Sequence, residues 1–315
     1  MLDKSTLDRL IGRAILAPSS HNTQPWVFEL RDDRIRLHAD RTRALPVNDP
    51  DDRELVISCG CALMNLRVAA AQEGLGASVV PLPDPRNEDV LAEIAFSGEA
   101  EAALARLAAA IPERRTYRKR FAGRDVPGDI VDDLKAAAVE EGAGFDPFED
   151  EETRQAAAGL VAQGDTLLWA NASWRRELAQ WMHPRRSGDG LSLPWLAVPA
   201  AKFVVRSFDM GGGVAAKDSD LAENSPLLAM LGTAGDGQAD WLAAGQALER
   251  VLLTATAAGL QASYLNQPVE VADLRSRLAD LGGRDGVPQI LLRLGYPEDD
   301  LPAAPRRPMA DVVET

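Results

Sequence analysis

The sequence predicts an α+β protein built from two related halves, and three observations carry that prediction. Segments of helical and of strand period alternate along the chain. The stretch 60–78 (GCALMNLRVAAAQEGLGAS) returns at 245–263 (GQALERVLLTATAAGLQAS), with eight of nineteen positions identical and no gap. The chain has 315 residues, 46% of them hydrophobic, which suffices for two cores or two halves of one, because single cores split beyond about 250–300 residues.

The elements are taken in chain order. STLDRLIGRAIL (5–16) places apolar residues at helical spacing behind a Ser/Thr cap and stops at Pro18. WVFEL (26–30) and RIRLHA (34–39) alternate around Asp32-Asp33 as a β-hairpin does. Residues 52–74 form the longest helix, rich in Ala and Leu, free of proline and closed by Gly74. SVVPL (78–82) and LAEIAFSG (91–98) read as strands, and AEAALARLAAAI (100–111) as a helix ending at Pro112. Residues 183–238, rich in Gly and Pro, read as irregular and as a lid; within them AKFVVRSF (201–208) is strand-like and Gly211-Gly212-Gly213 a flexible turn. The second copy of the repeated helix then runs on Gly-Leu into a strand, and PQILLRLG (288–295) echoes the strand LAEIAFSG. Shared glycine punctuation argues for duplication. Two halves are expected, 1–112 and 113–315, packed through their small-residue helices.

Composition narrows the function. With 48 acidic against 34 basic side chains, a net charge of −14, the chain lacks the cationic surplus that nucleic acid or an anionic membrane demands. No segment approaches ~20 consecutive apolar residues, nor does the N-terminus carry a signal-peptide run, so the protein reads as cytoplasmic, with no membrane partner. Cys59 and Cys61 are too close for an ordinary disulfide and read as small core residues. His21, His38 and His183 are scattered without metal-ligand spacing, so no metal site is expected.

Three polar constellations remain. Ala17-Pro18-Ser19-Ser20-His21-Asn22-Thr23-Gln24-Pro25-Trp26 sits between a helix and a strand, its prolines stiffening a turn that offers hydroxyls and amides to the edge of a planar heterocycle. Six of the eleven residues from Arg114 to Arg124 are basic, against the sign of the whole chain and at the junction of the halves, which suits a phosphate dianion. Pro305-Arg306-Arg307-Pro308 adds a second short basic site. No strand-coupled glycine fingerprint, phosphate loop or serine elbow is present.

On these residues the sequence resembles the FMN-dependent nitroreductase superfamily, and within it the single-chain Acg-type flavin-binding proteins. APSSHNTQPW (17–26) looks like the superfamily's flavin-contacting PSSxNxQPW stretch, RRTYR (114–118) resembles its RRSxR phosphate-binding opening, with Thr116 where Ser is usual, and PRRPMADVV (305–313) its closing segment. The resemblance implies a nitroreductase-like fold in which the two halves form an intramolecular pseudo-dimer, a monomer with one FMN per chain. The first half brings the loop and the second the arginines. It also implies that Pro18, Ser19, Ser20, Asn22 and Gln24 contact the flavin, and that Arg114, Arg115, Thr116, Arg118, Arg306 and Arg307 hold its ribityl chain and phosphate. Leu265, Asn266 and Gln267 would then approach the redox edge of the ring. Because flavin carries the hydride, no side-chain nucleophile is required. The implied activity is NAD(P)H-dependent, ping-pong reduction of a nitroaromatic, quinone or similar acceptor. The alternative is a protein that binds or sequesters FMN with little turnover.

Overall fold

A computed structural model describes residues 3–31, 34–282 and 286–314. The chain opens with α1 (Lys4–Ala14), whose N-cap Asp3 accepts from the Thr6 N–H at 2.8 Å, and continues through β1 (Trp26–Arg31), β2 (Arg34–Ala39), α2 (Arg53–Gln72), β3 (Ala77–Pro81) and β4 (Val90–Phe96). The Asp32-Asp33 turn of the expected hairpin lies outside the described residues; the strands on either side pair antiparallel from Trp26 opposite Ala39 to Arg31 opposite Arg34. A short α3 (Ala102–Ala105) and a 3-10 turn (Ala108–Ala110) stand where the sequence suggests one continuous helix.

The motif then repeats. α4 (Gly128–Val139) leads to β5 (Gly144–Pro147); after α5 (Glu151–Ala170), α6 (Ala172–Gln180), β6 (Met182–Pro184), β7 (Leu191–Leu193), α7 (Val198–Ser207) and α8 (Gly211–Glu223) comes β8 (Leu227–Thr233). Next come α9 (Gln238–Ala257), β9 (Gln261–Tyr264), α10 (Gln267–Glu270), α11 (Ala272–Gly282), β10 (Val287–Gly295) and β11 (Val313–Glu314). One sheet has the order β11-β1-β2-β4-β3 and the other β5-β8-β10-β9. With β11 set aside, both have the same order and all-antiparallel pairing. Each also carries one register irregularity at the matching strand pair, between Leu37 and His38 in one and between Pro288 and Ile290 in the other.

Helices α2 and α9, each of 20 residues, cross where the repeated sequence placed glycine. A Cβ on Gly60 would sit 2.4 Å from the Leu242 carbonyl oxygen, and one on Gly245 would sit 2.1 Å from that of Ile57 and 2.7 Å from the Gly60 Cα. Only hydrogen fits there. The backbones thus meet directly, and the main core draws side chains from both copies, among them Trp26, Leu63 and Ile94 with Leu242, Val251 and Leu292. α2 is long and apolar enough to cross a membrane by length and composition, but nearly all of it is buried in this core.

The stretch 183–238 departs from its expected irregularity. Residues 201–208, strand-like in sequence, lie mostly in helix α7, which Pro199 initiates from the first turn, where its missing N–H is harmless. Gly211-Gly212-Gly213 opens α8 instead of a turn. Leu227–Thr233 is β8, fully buried in the second sheet. The strand that answers β1 in the second copy is therefore β5, not 201–208.

Candidate functional site

The connection from α1 to β1 is the most strained segment of the described backbone. His21, Asn22 and Gln24 all take left-handed conformations, with φ of 49°, 55° and 54°, although none is glycine. Each such residue costs on the order of 1–3 kcal/mol and persists only where its surroundings over-determine it. Here they do. The Gln24 N–H donates to Ser19 Oγ at 2.9 Å; Ser20 donates through its N–H to Ser58 Oγ at 3.3 Å and through its hydroxyl to Glu54 Oε2 at 2.5 Å. Arg43 Nε donates to the Thr23 carbonyl at 2.5 Å. Two turns of α2 therefore hold the loop through Glu54 and Ser58, spaced i and i+4 so that they share a face.

The segment after β6 lies over the same loop. Asn22 Nδ2 donates to the Gly190 and Pro305 carbonyls, each at 3.3 Å, and Gln24 Nε2 to the Gly188 carbonyl at 2.9 Å. Asp189, between the two glycines, pairs with Arg43 and with His183 Nδ1.

The basic residues arrive from two distant parts of the chain. Arg306 donates to the carbonyls of Leu16 at 2.8 Å and Ala17 at 3.1 Å and to Asn22 Oδ1 at 3.3 Å. Arg114 reaches the same Leu16 carbonyl at 3.2 Å, while its Nε stands 3.6 Å from Glu249 Oε1 on α9. In both arginines Nε is buried and lacks a hydrogen-bond partner. Burial, reinforced by Arg114, pulls the Arg306 pKa down to about 9, as befits cations gathered without enough anions. Burial pushes Glu249 up to about 7, against the pull of Arg114.

The remaining wall comes from β9 and the residues after it. Asn266 accepts from the Leu291 N–H at 3.1 Å and donates to Glu54 Oε1 at 3.4 Å, while Gln267 donates to Asp165 Oδ1 at 3.2 Å and Asp218 Oδ2 at 3.0 Å. His21, Arg118, Tyr264 and Arg306 all retain accessible surface. Yet desolvation disfavours the charged form of each, taking His21 down to about 4 against the pull of Glu54, lowering Arg118 and raising the Tyr264 phenol. The His21 Nδ1 and the Tyr264 hydroxyl add two more buried polar atoms without partners.

These contacts sort the expected site residues. Ser19, Ser20, Asn22, Arg114, Arg306 and Asn266 belong to one bonded network, and Arg118 lies near enough to Tyr264 and Asp218 to feel their charge. Pro18 is buried in the loop. Three others spend side-chain groups on bonds within the protein. Arg115 donates to the carbonyls of Leu301, Pro112 and Arg114; Gln24, fully buried, accepts from the Arg307 N–H at 2.8 Å; and Arg307 donates to the Gln24 and Asp311 carbonyls. Thr116 bridges Ala262 through its backbone, and Leu265 is a core residue.

Comparison with known proteins bears on the family of the chain. No family model matches the chain. A Mycobacterium tuberculosis protein named "Putative NAD(P)H nitroreductase Rv3131" is 35% identical to it, over 99% of this chain and 92% of its own length. The chain belongs to the Acg-type nitroreductases. "Putative NAD(P)H nitroreductase acg" of the same organism is 31% identical over 99% of this chain and 96% of its own length. Solved structures lie further off, such as an FMN-bound nitroreductase from Bacteroides fragilis at 14% identity and a TM-score of 0.38, covering 62% of this chain and 91% of that one. Likeness at that level says nothing about chemistry.

Sequence reasoning missed several residues of this candidate site. Glu54, Ser58, Glu249 and Tyr264 sit inside elements that read as plain core. Their signal was present, since Glu54, Ser58 and Glu249 are polar side chains within long apolar helices, where a charge without a partner is costly. His21 lay within the polar loop segment but was weighed by itself only as a metal ligand.

Proposed function

We propose that the protein is an FMN-dependent NAD(P)H oxidoreductase of nitroreductase type, working as one chain whose halves, 1–112 and 113–315, imitate a dimer around one flavin. The observation that supports this reading best is the convergence of Arg114 and Arg306 on the Leu16 carbonyl, each with a buried Nε that makes no hydrogen bond, beside the strained loop. A phosphate group fits there, supplying the acceptors these donors lack. Bound FMN would supply ping-pong hydride chemistry, taking electrons from NAD(P)H and passing them to a nitroaromatic, quinone or similar acceptor. The protein's own part is to hold and orient. Arg114 and Arg306 bind the phosphate, Arg118 lends positive charge near Tyr264, Ser19, Ser20 and Asn22 present polar groups to the ring, and Glu54 fixes Ser20.

A second reading, FMN retention with little turnover, draws support from the chain after β6, whose Gly188 and Gly190 carbonyls are bonded to the loop as a closed lid would be. An anaerobic visible spectrum separates the two. Bleaching of a yellow protein by NADPH or NADH, with recovery on adding a quinone or nitroaromatic, is the expected result. Bleaching by dithionite alone would favour the retention reading, and a colourless protein that FMN cannot reconstitute would overturn both.

A further inference from the structure

Helix α7 and the residues flanking it expose an unusual amount of apolar surface. Among the described residues nine large apolar side chains are exposed, and five of them lie within 195–208: Trp195, Leu196, Phe203, Val204 and Phe208, each between 39% and 72% accessible. Phe203 and Phe208 pack edge to face at 6.3 Å. On its inner side only Val205 is fully committed, to a small cluster with Leu168, Trp169, Trp174 and Ala179. Scattered exposed leucines need no explanation, whereas five exposed large apolar side chains within fourteen residues, on and beside one helix, do.

The charge around these residues also opposes the rest of the molecule. Residues 175–208 contain six basic and two acidic side chains, a local charge of +4 in a chain of −14. Both acids are occupied inside the protein: Glu177 accepts from the N–H groups of Val47 and Asn48, and Asp189 pairs with Arg43 and His183. Arg176, Lys202 and Arg206, with Pro199, Phe203 and Ser207, line a hollow of about 460 Å3 beside the apolar residues. None of these three cations has an acidic partner among the described residues.

We propose that the face formed by residues 195–208 and Arg176 docks on an anionic lipid bilayer, with α7 lying flat in the headgroup region. The three cations would hold lipid phosphates while Trp195, Leu196, Phe203, Val204 and Phe208 enter the acyl boundary. At ten residues α7 is too short to span. A second copy meeting this face through a two-fold axis would set +4 against +4, which disfavours that occupant. The charge of the whole chain, which argued against anionic surfaces, conceals this local reversal.

The test is flotation of the FMN-saturated full chain with vesicles containing about 30% phosphatidylglycerol in phosphatidylcholine, against vesicles of phosphatidylcholine alone. Binding to the anionic vesicles is expected, weakened by added salt. It should fall about tenfold or more in Lys202→Glu/Arg206→Glu and in Leu196→Ser/Phe203→Ser, with melting temperature and flavin content unchanged. Equal recovery with and without the anionic lipid, or binding indifferent to both double variants, would overturn the proposal. So would vesicle-free dimerisation, seen by sedimentation, that the same substitutions abolish, because the face would then belong to a second copy.

Discussion

The two copies of the motif share a backbone but not a chemistry, and the contrast is sharpest where each chain passes from its first helix to its first strand. In the first copy, residues 15–25 connect α1 to β1 by a long strained loop. In the second, only residues 140–143 connect α4 to β5, with Gly142 taking the single left-handed position at φ 79°. The long helices differ in the same sense. Along the repeat, Glu54 and Ser58 of α2, which hold Ser20, correspond to Ala239 and Ala243 of α9; Met64 of α2 corresponds to Glu249, which faces Arg114. One copy supports a loop and the other supports arginines. The difference teaches that the two copies kept the small residues that packing needs while their polar residues diverged.

The shared backbone is the easiest part to break. Gly245→Val should lower the free energy of unfolding by about 3 kcal/mol or more in urea titration, since the new side chain meets the Ile57 carbonyl and Gly60 head on. Gly212→Ala, with open space around it, should change little. Equal effects would mean that the helix crossing yields readily.

Asymmetry between the helices should show in pH. The folded protein keeps the Glu249 proton up to about 7, while the unfolded chain releases it near 4.5, so the folded state holds the extra proton between those values. Stability conferred by this group is present below about 4.5 and lost as the pH rises through about 7, on the order of 3 kcal/mol in all. Glu249→Gln should flatten that slope in denaturant midpoints measured across the window. Asp49 and Asp165, each also raised to about 7 chiefly by burial, keep their share of it.

On the ligand side, Arg114→Ala should weaken FMN binding by about 1.5–3 kcal/mol, roughly 10- to 150-fold, while riboflavin binding changes far less. Parallel losses for both would remove the phosphate assignment. Glu54→Ala should expose the loop to proteolysis and cost about 1.5 kcal/mol of stability by removing the acceptor of Ser20, whereas a polar residue at Ala243 should leave the loop untouched. The smallest effect is expected at the short connection, where Gly142→Ala should cost about 1 kcal/mol because alanine resists the left-handed conformation.

Much of the fold was legible in advance because it rests on periodicity. Helix α2, the hairpin strands, β4 and β10 fall within a residue or two of their expected places, and glycines 60 and 245, paired by the repeat, meet at the crossing. Residues 201–208 misled because Phe203, Val204 and Val205 have strand-like side chains, yet Pro199 starts a helix there. β8 hid within a stretch rich in glycine and proline because its seven residues are buried throughout and its apolar run shows no alternation. In the site, the loop and the basic clusters could be picked out by composition, but Arg114 and Arg115 are neighbours with the same chemistry. Nothing local tells which one joins Arg306 at the Leu16 carbonyl and which turns to Leu301 and Pro112.

By itself, then, the sequence determined the family, the repeated motif and the polar segments that make the site, since these depend on short-range pattern and on residue types. Only the tertiary structure decided which members of those segments cooperate. The Leu16 carbonyl that Arg114 and Arg306 share, the grip of Glu54 on Ser20 and the exposed apolar side chains on and beside α7 are all set by packing between parts of the chain far apart in sequence. Hydrogen bonds and desolvation act over a few ångströms of space, and sequence separation carries no information about that distance.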